Sequence, residues 1–213
     1  MDTSFWHKRW EDKNIGFHRD QVNPLLERYL SLVVNADTKR IFVPLCGKTV
    51  DIKWLLSQGF QVCGVELVKK VVEELFEELG LEPKVETKGS LFKFTSENIE
   101  IFSGDFFDLV LEELGSVDLV YDRAAIVALP LEMRSKYAEH LRAMTGQCPQ
   151  MVISYDYNQS IMDGPPFSVS QAEFDSYYSD SFNIDCIHSD FVAEPLKGNK
   201  EVKEEVRLLI PKH

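Results

Sequence analysis

Hydrophobic positions along the chain follow two periods that alternate. Short apolar runs rich in β-branched residues recur at 40–44 (RIFVP), 61–65 (QVCGV), 100–102, 117–121 (VDLVY) and 151–155 (MVISY), the pattern of buried strands. Between them, 51–58, 68–79 and 131–144 repeat apolar residues at steps of three and four, which predicts helices that lay one face on a sheet. Alternation of this kind requires crossover connections, so the strands are predicted to run parallel. Gly59 and Gly80 stand where the first two helices should end, and Pro130 stands where the third should begin. The stretch 85–102 alternates apolar and polar residues around Ser96-Glu97-Asn98 and predicts a hairpin leading into the third strand. Segments 182–192 and 202–210, separated by the polar stretch 194–200, predict an antiparallel finish to the sheet. Ahead of the first strand, 23–34 reads as an amphipathic helix, whereas 2–20 is aromatic and polar without a clear period, either a tail or a lid. No repeat or low-complexity linker divides the chain, so a single domain is expected over 1–213, with an N-terminal helical segment (1–35) and an α/β core (36–213).

Composition narrows the class of function. Of 213 residues, 44% are hydrophobic and 27% charged, enough apolar surface to exclude general disorder. With 23 basic against 35 acidic side chains the formal net charge is −12, which repels phosphate backbones and argues against nucleic acid as a partner. No apolar run is long enough to cross a bilayer and the opening residues lack a secretory h-region, so a cytoplasmic protein with no membrane partner is expected. Cys46, Cys63, Cys148 and Cys186 are scattered without a Cys-x-x-Cys pair, and the five histidines show no ligand spacing; reduced thiols and no bound metal are expected.

In an open parallel sheet ligands bind beyond the carboxyl ends of the strands, so the residues just after each strand are the places to search. After the first comes Pro44-Leu45-Cys46-Gly47-Lys48-Thr49, whose Gly-Lys-Thr invites a phosphate-loop reading. That reading fails on spacing, because Phe42 stands where the loop needs its first glycine. The three-glycine dinucleotide fingerprint is missing too, so a ligand without a diphosphate fits better. Glu66, 19 positions beyond Gly47, suits acceptance of hydrogen bonds from both hydroxyls of a ribose, or it caps the helix that follows. After the third strand, Asp105 and Phe106 suit an adenine amino group and ring, or form a helix N-cap followed by core. After the fourth, Asp122-Arg123 offers a cation for an anionic ligand, or an ion pair on the sheet rim. Trp6 and Trp10 are four apart and share a face if helical, as a lid for a cationic sulfonium or as ordinary packing.

A nucleoside pocket without a diphosphate loop suggests S-adenosylmethionine as the ligand. Trp6-x-x-x-Trp10, Gly16-Phe17-His18, Phe42-Val43-Pro44-Leu45-Cys46-Gly47-Lys48, Gly64-Val65-Glu66, Asp122-Arg123-Ala124-Ala125 and Gly164-Pro165-Pro166-Phe167, in this order, resemble the thiopurine S-methyltransferase family. The resemblance covers nearly the whole chain and implies a Rossmann-like class I methyltransferase fold: a mostly parallel sheet with a late antiparallel strand, helices on both faces and an N-terminal lid. It further implies that Trp6, Trp10 and Phe17 close over the cofactor, that Leu45 and Gly47 support it, that Glu66 holds the ribose, and that Asp105 and Phe106 flank the adenine. Arg123 would lie between cofactor and acceptor, oriented by Asp122, and Phe17, His18, Pro166 and Phe167 would line the acceptor side. In place of the family's usual glycine after Asp-Arg this chain has Ala124, whose methyl group restricts the backbone there.

The implied reaction is in-line transfer of a methyl group from S-adenosylmethionine to a sulfur, selenium or tellurium acceptor, leaving S-adenosylhomocysteine. Partners are expected to be small thiols or selenols, with the chain acting as a monomer. A noncatalytic nucleoside sensor with the same fold is the alternative, and a nicotinamide oxidoreductase is disfavoured by the missing fingerprint.

Overall fold

The computed structural model describes residues 3–12, 15–16 and 19–212. Among them one nine-stranded sheet runs in the order β3-β4-β5-β2-β1-β6-β7-β9-β8. Its strands are β1 (Arg40–Val43), β2 (Gln61–Glu66), β3 (Lys84–Lys88), β4 (Leu91–Ser96), β5 (Ile99–Ser103), β6 (Leu119–Arg123), β7 (Gln150–Asp156), β8 (Phe182–Phe191) and β9 (Lys203–Pro211). The helices are α1 (Thr3–Glu11), α2 (Pro24–Tyr29), α3 (Val50–Ser57), α4 (Lys69–Leu79), α5 (Leu111–Leu114), α6 (Leu131–Thr145) and α7 (Gln171–Tyr178).

The five central strands, β5-β2-β1-β6-β7, are parallel, and both flanks are antiparallel. Because side chains alternate across a strand, β1 feeds both faces of the sheet. Phe42 joins Val65, Phe102, Val120 and Val152 under α6 and α7, whereas Ile41 and Val43 join Ile101, Tyr121 and Ile153 under α2, α3 and α4. Each fully buried aliphatic or aromatic side chain here contributes roughly 1.5–3 kcal/mol. The chain builds β2 and β5 to one side of β1 and then β6 and β7 to the other, so the order reverses between β1 and β6. That reversal opens a crevice at their carboxyl ends.

All five predicted parallel strands form, within two residues of the predicted bounds. Gly80 closes α4 at φ 69°, a left-handed conformation in which any β-carbon is strained. Three details differ from the sequence reading. The helix predicted over 23–34 is α2 followed by a 3-10 turn, Leu30–Leu32. The predicted hairpin is a three-strand meander, because β3 adds outside β4. Helix α7 was not predicted, although Ser170 and Glu173 form a reciprocal capping box at its start.

A buried polar knot fixes where the core begins. Asn23, the N-cap of α2, donates its amide to Asp51 Oδ1 (2.8 Å), and Tyr121 Oη donates to Asp51 Oδ2 (3.0 Å). The start of α2, the first turn of α3 and β6 therefore meet on one carboxylate.

Candidate active site

The turn after β1 and the end of β2 are bound together by Glu66. Its Oε2 accepts from the Gly47 amide (3.0 Å) and its Oε1 from the Val68 amide (2.9 Å). The side chain is buried, and this desolvation pushes its pKa up to about 7, against the opposing pull of the backbone amides. A carboxylate has about four lone-pair sites. The two amides leave two, enough for a pair of adjacent hydroxyl donors. Glu66 thus ties the turn after β1 to the residue just ahead of α4, without capping that helix, and keeps the capacity to hold a ribose. Leu45 lies in the same turn at φ 45°, half-buried against the core.

Trp10 covers this turn. An added β-carbon on Gly47 would meet the Trp10 ring at 3.1 Å, so the indole rests directly on the glycine backbone. Trp6, one turn earlier on α1, is half-buried and makes an edge contact with Phe5 at 5.2 Å between centroids. Phe17 and His18 lie outside the described residues. Lys48 is committed elsewhere: its ammonium pairs with Glu74 (2.9 Å) and Glu78 (2.6 Å) on α4.

After β5, Asp105 is exposed and accepts from the Phe107 amide (2.9 Å), the N-cap arrangement weighed from sequence. Phe106 is buried, its ring 4.9 Å from Tyr137 and 5.2 Å from His140 between centroids. It therefore forms the floor beneath Asp105 as part of the core.

At the end of β6 the two predicted catalytic residues point to different places. Asp122 is buried and accepts from Tyr137 Oη (2.7 Å) and the Ile126 amide (3.1 Å). Burial pushes its pKa up to about 6, opposed by those donors. It forms no ion pair with Arg123, because neighbouring residues on a strand face opposite sides of the sheet. Both direct orientation of Arg123 by Asp122 and a rim ion pair are thus corrected: Asp122 acts on the turn that follows. Among the described residues Arg123 has no hydrogen-bond or ion-pair partner; its charge is felt by the hydroxyls of Tyr121 and Tyr155.

Ala124 follows at φ 63°. The left-handed region costs a residue with a β-carbon roughly 1–2 kcal/mol. Ala124→Gly is accordingly expected to raise stability by up to about 1 kcal/mol and Ala124→Val to lower it by more than that. Urea midpoints at unchanged m-value would measure both, and a stability loss in the glycine variant would contradict the assignment.

The segment expected on the acceptor side is pinned against the same turn. The Phe167 amide donates to Val127 O (2.7 Å), Tyr157 Oη donates to Pro166 O (2.7 Å), and an added β-carbon on Gly164 would lie 2.2 Å from the Phe167 ring. Arg134, absent from the sequence reading, is buried and donates to Leu129 O (2.9 Å) and Ser168 O (2.8 Å) and pairs with Glu173 (2.6 Å). Its guanidinium lies over Phe167, 5.5 Å from the ring centroid.

The structure thus brings Glu66, Gly47 and Trp10 together after β1 and β2, sets Arg123 at the end of β6, and packs Phe167 against the turn that follows. A buried acceptor for two hydroxyls, a turn without a diphosphate loop and an aromatic cover fit an adenosyl ligand. The sheet is that of the S-adenosylmethionine-dependent methyltransferases. A Burkholderia thailandensis 1,6-didemethyltoxoflavin-N1-methyltransferase, solved with S-adenosylhomocysteine, superposes with a TM-score of 0.64 at 13% identity, covering 99% of this chain and 87% of that one. An S-adenosylmethionine-dependent methyltransferase from Anabaena variabilis superposes with a TM-score of 0.63 at 17% identity, covering 99% and 95%. Sequence takes the assignment further. The family model for thiopurine S-methyltransferase matches residues 1–210. The thiopurine S-methyltransferase of Xanthobacter autotrophicus is 46% identical over 210 residues (98% of this chain, 99% of that one), and that of Acinetobacter baylyi 41% identical over 204 (93% and 94%). The chain belongs to the thiopurine S-methyltransferase family.

Proposed function

We propose that this enzyme transfers a methyl group from S-adenosylmethionine to a soft anionic acceptor, a thiolate of an aromatic or heteroaromatic thiol or its selenium or tellurium counterpart. The reading rests above all on Arg123, a guanidinium at the carboxyl end of β6 with no counter-ion among the described residues. When bound, S-adenosylmethionine supplies an electrophilic methyl group on a sulfonium. Glu66 holds the ribose through its two remaining lone-pair sites, and Trp10 covers the turn and offers a π-face to positive charge. Asp105 and Phe106, as rim and floor after β5, border the adenine. Arg123 draws the acceptor anion into line and stays protonated throughout, so it acts by charge and not as a base. Pro166 and Phe167 wall the acceptor side.

Neither Asp122 nor Cys46 takes over the chemistry. Asp122 is committed to Tyr137 and the following turn, and burial pushes the Cys46 thiol well above its ordinary value, so no thiolate forms there. Catalysis then rests on alignment and exclusion of water, with the acceptor ionising on its own near neutrality. The enzyme acts on small molecules as a cytoplasmic monomer.

A labelled-methyl assay over thiophenols, thiopurines and selenols tests the reading. Transfer to at least one soft anion, and none to matched alcohols and amines, is expected. Binding of S-adenosylhomocysteine without turnover on any member would instead establish a nucleoside sensor.

A further inference from the structure

Among the described residues Arg123 has no side-chain hydrogen-bond or ion-pair partner, yet the turn that carries it is specifically built. After Arg123 the chain leaves the strand through Ala124 at φ 63°, a conformation that alanine keeps only where its surroundings over-determine it. The determinant is Asp122, whose carboxylate accepts from the Ile126 amide (3.1 Å) across the turn. That carboxylate is itself fixed from the other side of the crevice wall. Tyr137, buried in the middle of α6, donates its hydroxyl to Asp122 Oδ2 at 2.7 Å. The same ring packs on Phe106, 4.9 Å between centroids, beneath the turn after β5. One helix residue thus touches both banks of the crevice, reaching the Arg123 turn through its hydroxyl and the floor beneath Asp105 through its ring.

We infer that Tyr137 is a positioning residue for methyl transfer, its hydroxyl fixing the Asp122 carboxylate and, through the Ala124 turn, the reach of the Arg123 guanidinium toward the acceptor. This deepens the proposed function and rests on it. Removing the hydroxyl leaves the ring in place, so the floor under Asp105 keeps its shape. The Asp122 carboxylate, short of one donor, is free to rotate, and the turn loses its brace.

The variants Tyr137→Phe and Tyr178→Phe separate this role from packing. Tyr178 lies in the same core cluster and does not hydrogen-bond Asp122. In Tyr137→Phe, kcat is expected to fall on the order of tenfold, as for a small misplacement of a charged group. The affinity for S-adenosylhomocysteine should stay within about twofold of wild type, since Glu66 is untouched. Tyr178→Phe should keep kcat at a similar loss of Tm. Asp122→Asn should repeat the kcat loss, and the double variant Tyr137→Phe/Asp122→Asn should lose no more than the larger single loss, because both act through one carboxylate. The Arg123 Nε–H resonance, assigned by its disappearance in Arg123→Lys, should shift in Tyr137→Phe and not in Tyr178→Phe. Wild-type kcat in Tyr137→Phe, equal losses in the two tyrosine variants, additive losses in the double variant, or an unmoved Arg123 resonance would each overturn the inference. The resonance is read without turnover. A wild-type enzyme that methylates nothing in the panel therefore refutes the proposed acceptor, while the shift still decides the role of Tyr137.

Discussion

Arg123→Ala is expected to slow methyl transfer by roughly 10²–10³-fold, the usual effect of removing one group that meets charge in the transition state. Binding of S-adenosylhomocysteine should change by less than about threefold, because the proposed nucleoside contacts gather around Glu66, on the other side of β1. The split follows from the geometry. Arg123 has no hydrogen bond to lose within the described protein, so its removal leaves no buried group unpaired and little reason for the fold to weaken. Arg123→Lys keeps the charge and loses the planar fork, and should fall between the two. Single-turnover rates beside calorimetry separate the effects. Equal losses in rate and affinity would make Arg123 a cofactor anchor instead.

The second large effect belongs to Glu66. In Glu66→Gln the Gly47 and Val68 amides lose a charged acceptor, and so does any hydroxyl bound beside them. A hydrogen bond to a charged group is worth about 1.5–3 kcal/mol, so loss of one such bond's strength should lower affinity for S-adenosylhomocysteine roughly 10- to 150-fold. The pH dependence gives a sharper signature. Burial lifts the Glu66 carboxyl from 4.5 to about 7 in the folded protein. Across that window the folded chain holds a proton that the unfolded chain has released, so stability falls as pH rises from about 4.5 to about 7 and then levels. Hydroxyl donors favour the ionised form, so nucleoside affinity should rise about tenfold between about pH 6 and about pH 8, with proton release on binding near neutrality. Glu66→Gln should bind equally weakly at both ends. Its stability should keep a smaller slope of the same sign below about pH 6, contributed by Asp122, whose carboxyl is raised from 3.8 to about 6. A wild-type affinity that is flat with pH would remove Glu66 from the ribose.

The parts of this molecule that the sequence discloses are those governed by local periodicity and by position at a strand end. The apolar runs mark the central strands because burial on both faces leaves little room for polar residues, and Glu66 and Arg123 are conspicuous as charges at the ends of such runs. What stays hidden depends on partners far away in the chain. Asp51 looks like an acidic residue complementing the first turn of a surface helix; its burial follows from Asn23 and Tyr121, 28 and 70 positions distant. Asp122 looks like a partner for its neighbour, and only the strand pleat and Tyr137 turn it inward. Helix α7 is a different case, since Ser170-Gln171-Ala172-Glu173 ahead of Phe174 is a readable start signal whose helix is too short to show a full apolar period.

The contact between Trp10 and Gly47 sets a limit on the front door proposed for this enzyme. The chain is bolted down at Asn23, and ahead of that point the Trp10 indole comes to rest on a bare α-carbon. A single methyl group on that sill, 3.1 Å from the indole, would act as a doorstop. With Trp10 as the proposed cover of the cofactor site, solvent would then reach the very atom whose reactivity depends on shedding its hydration.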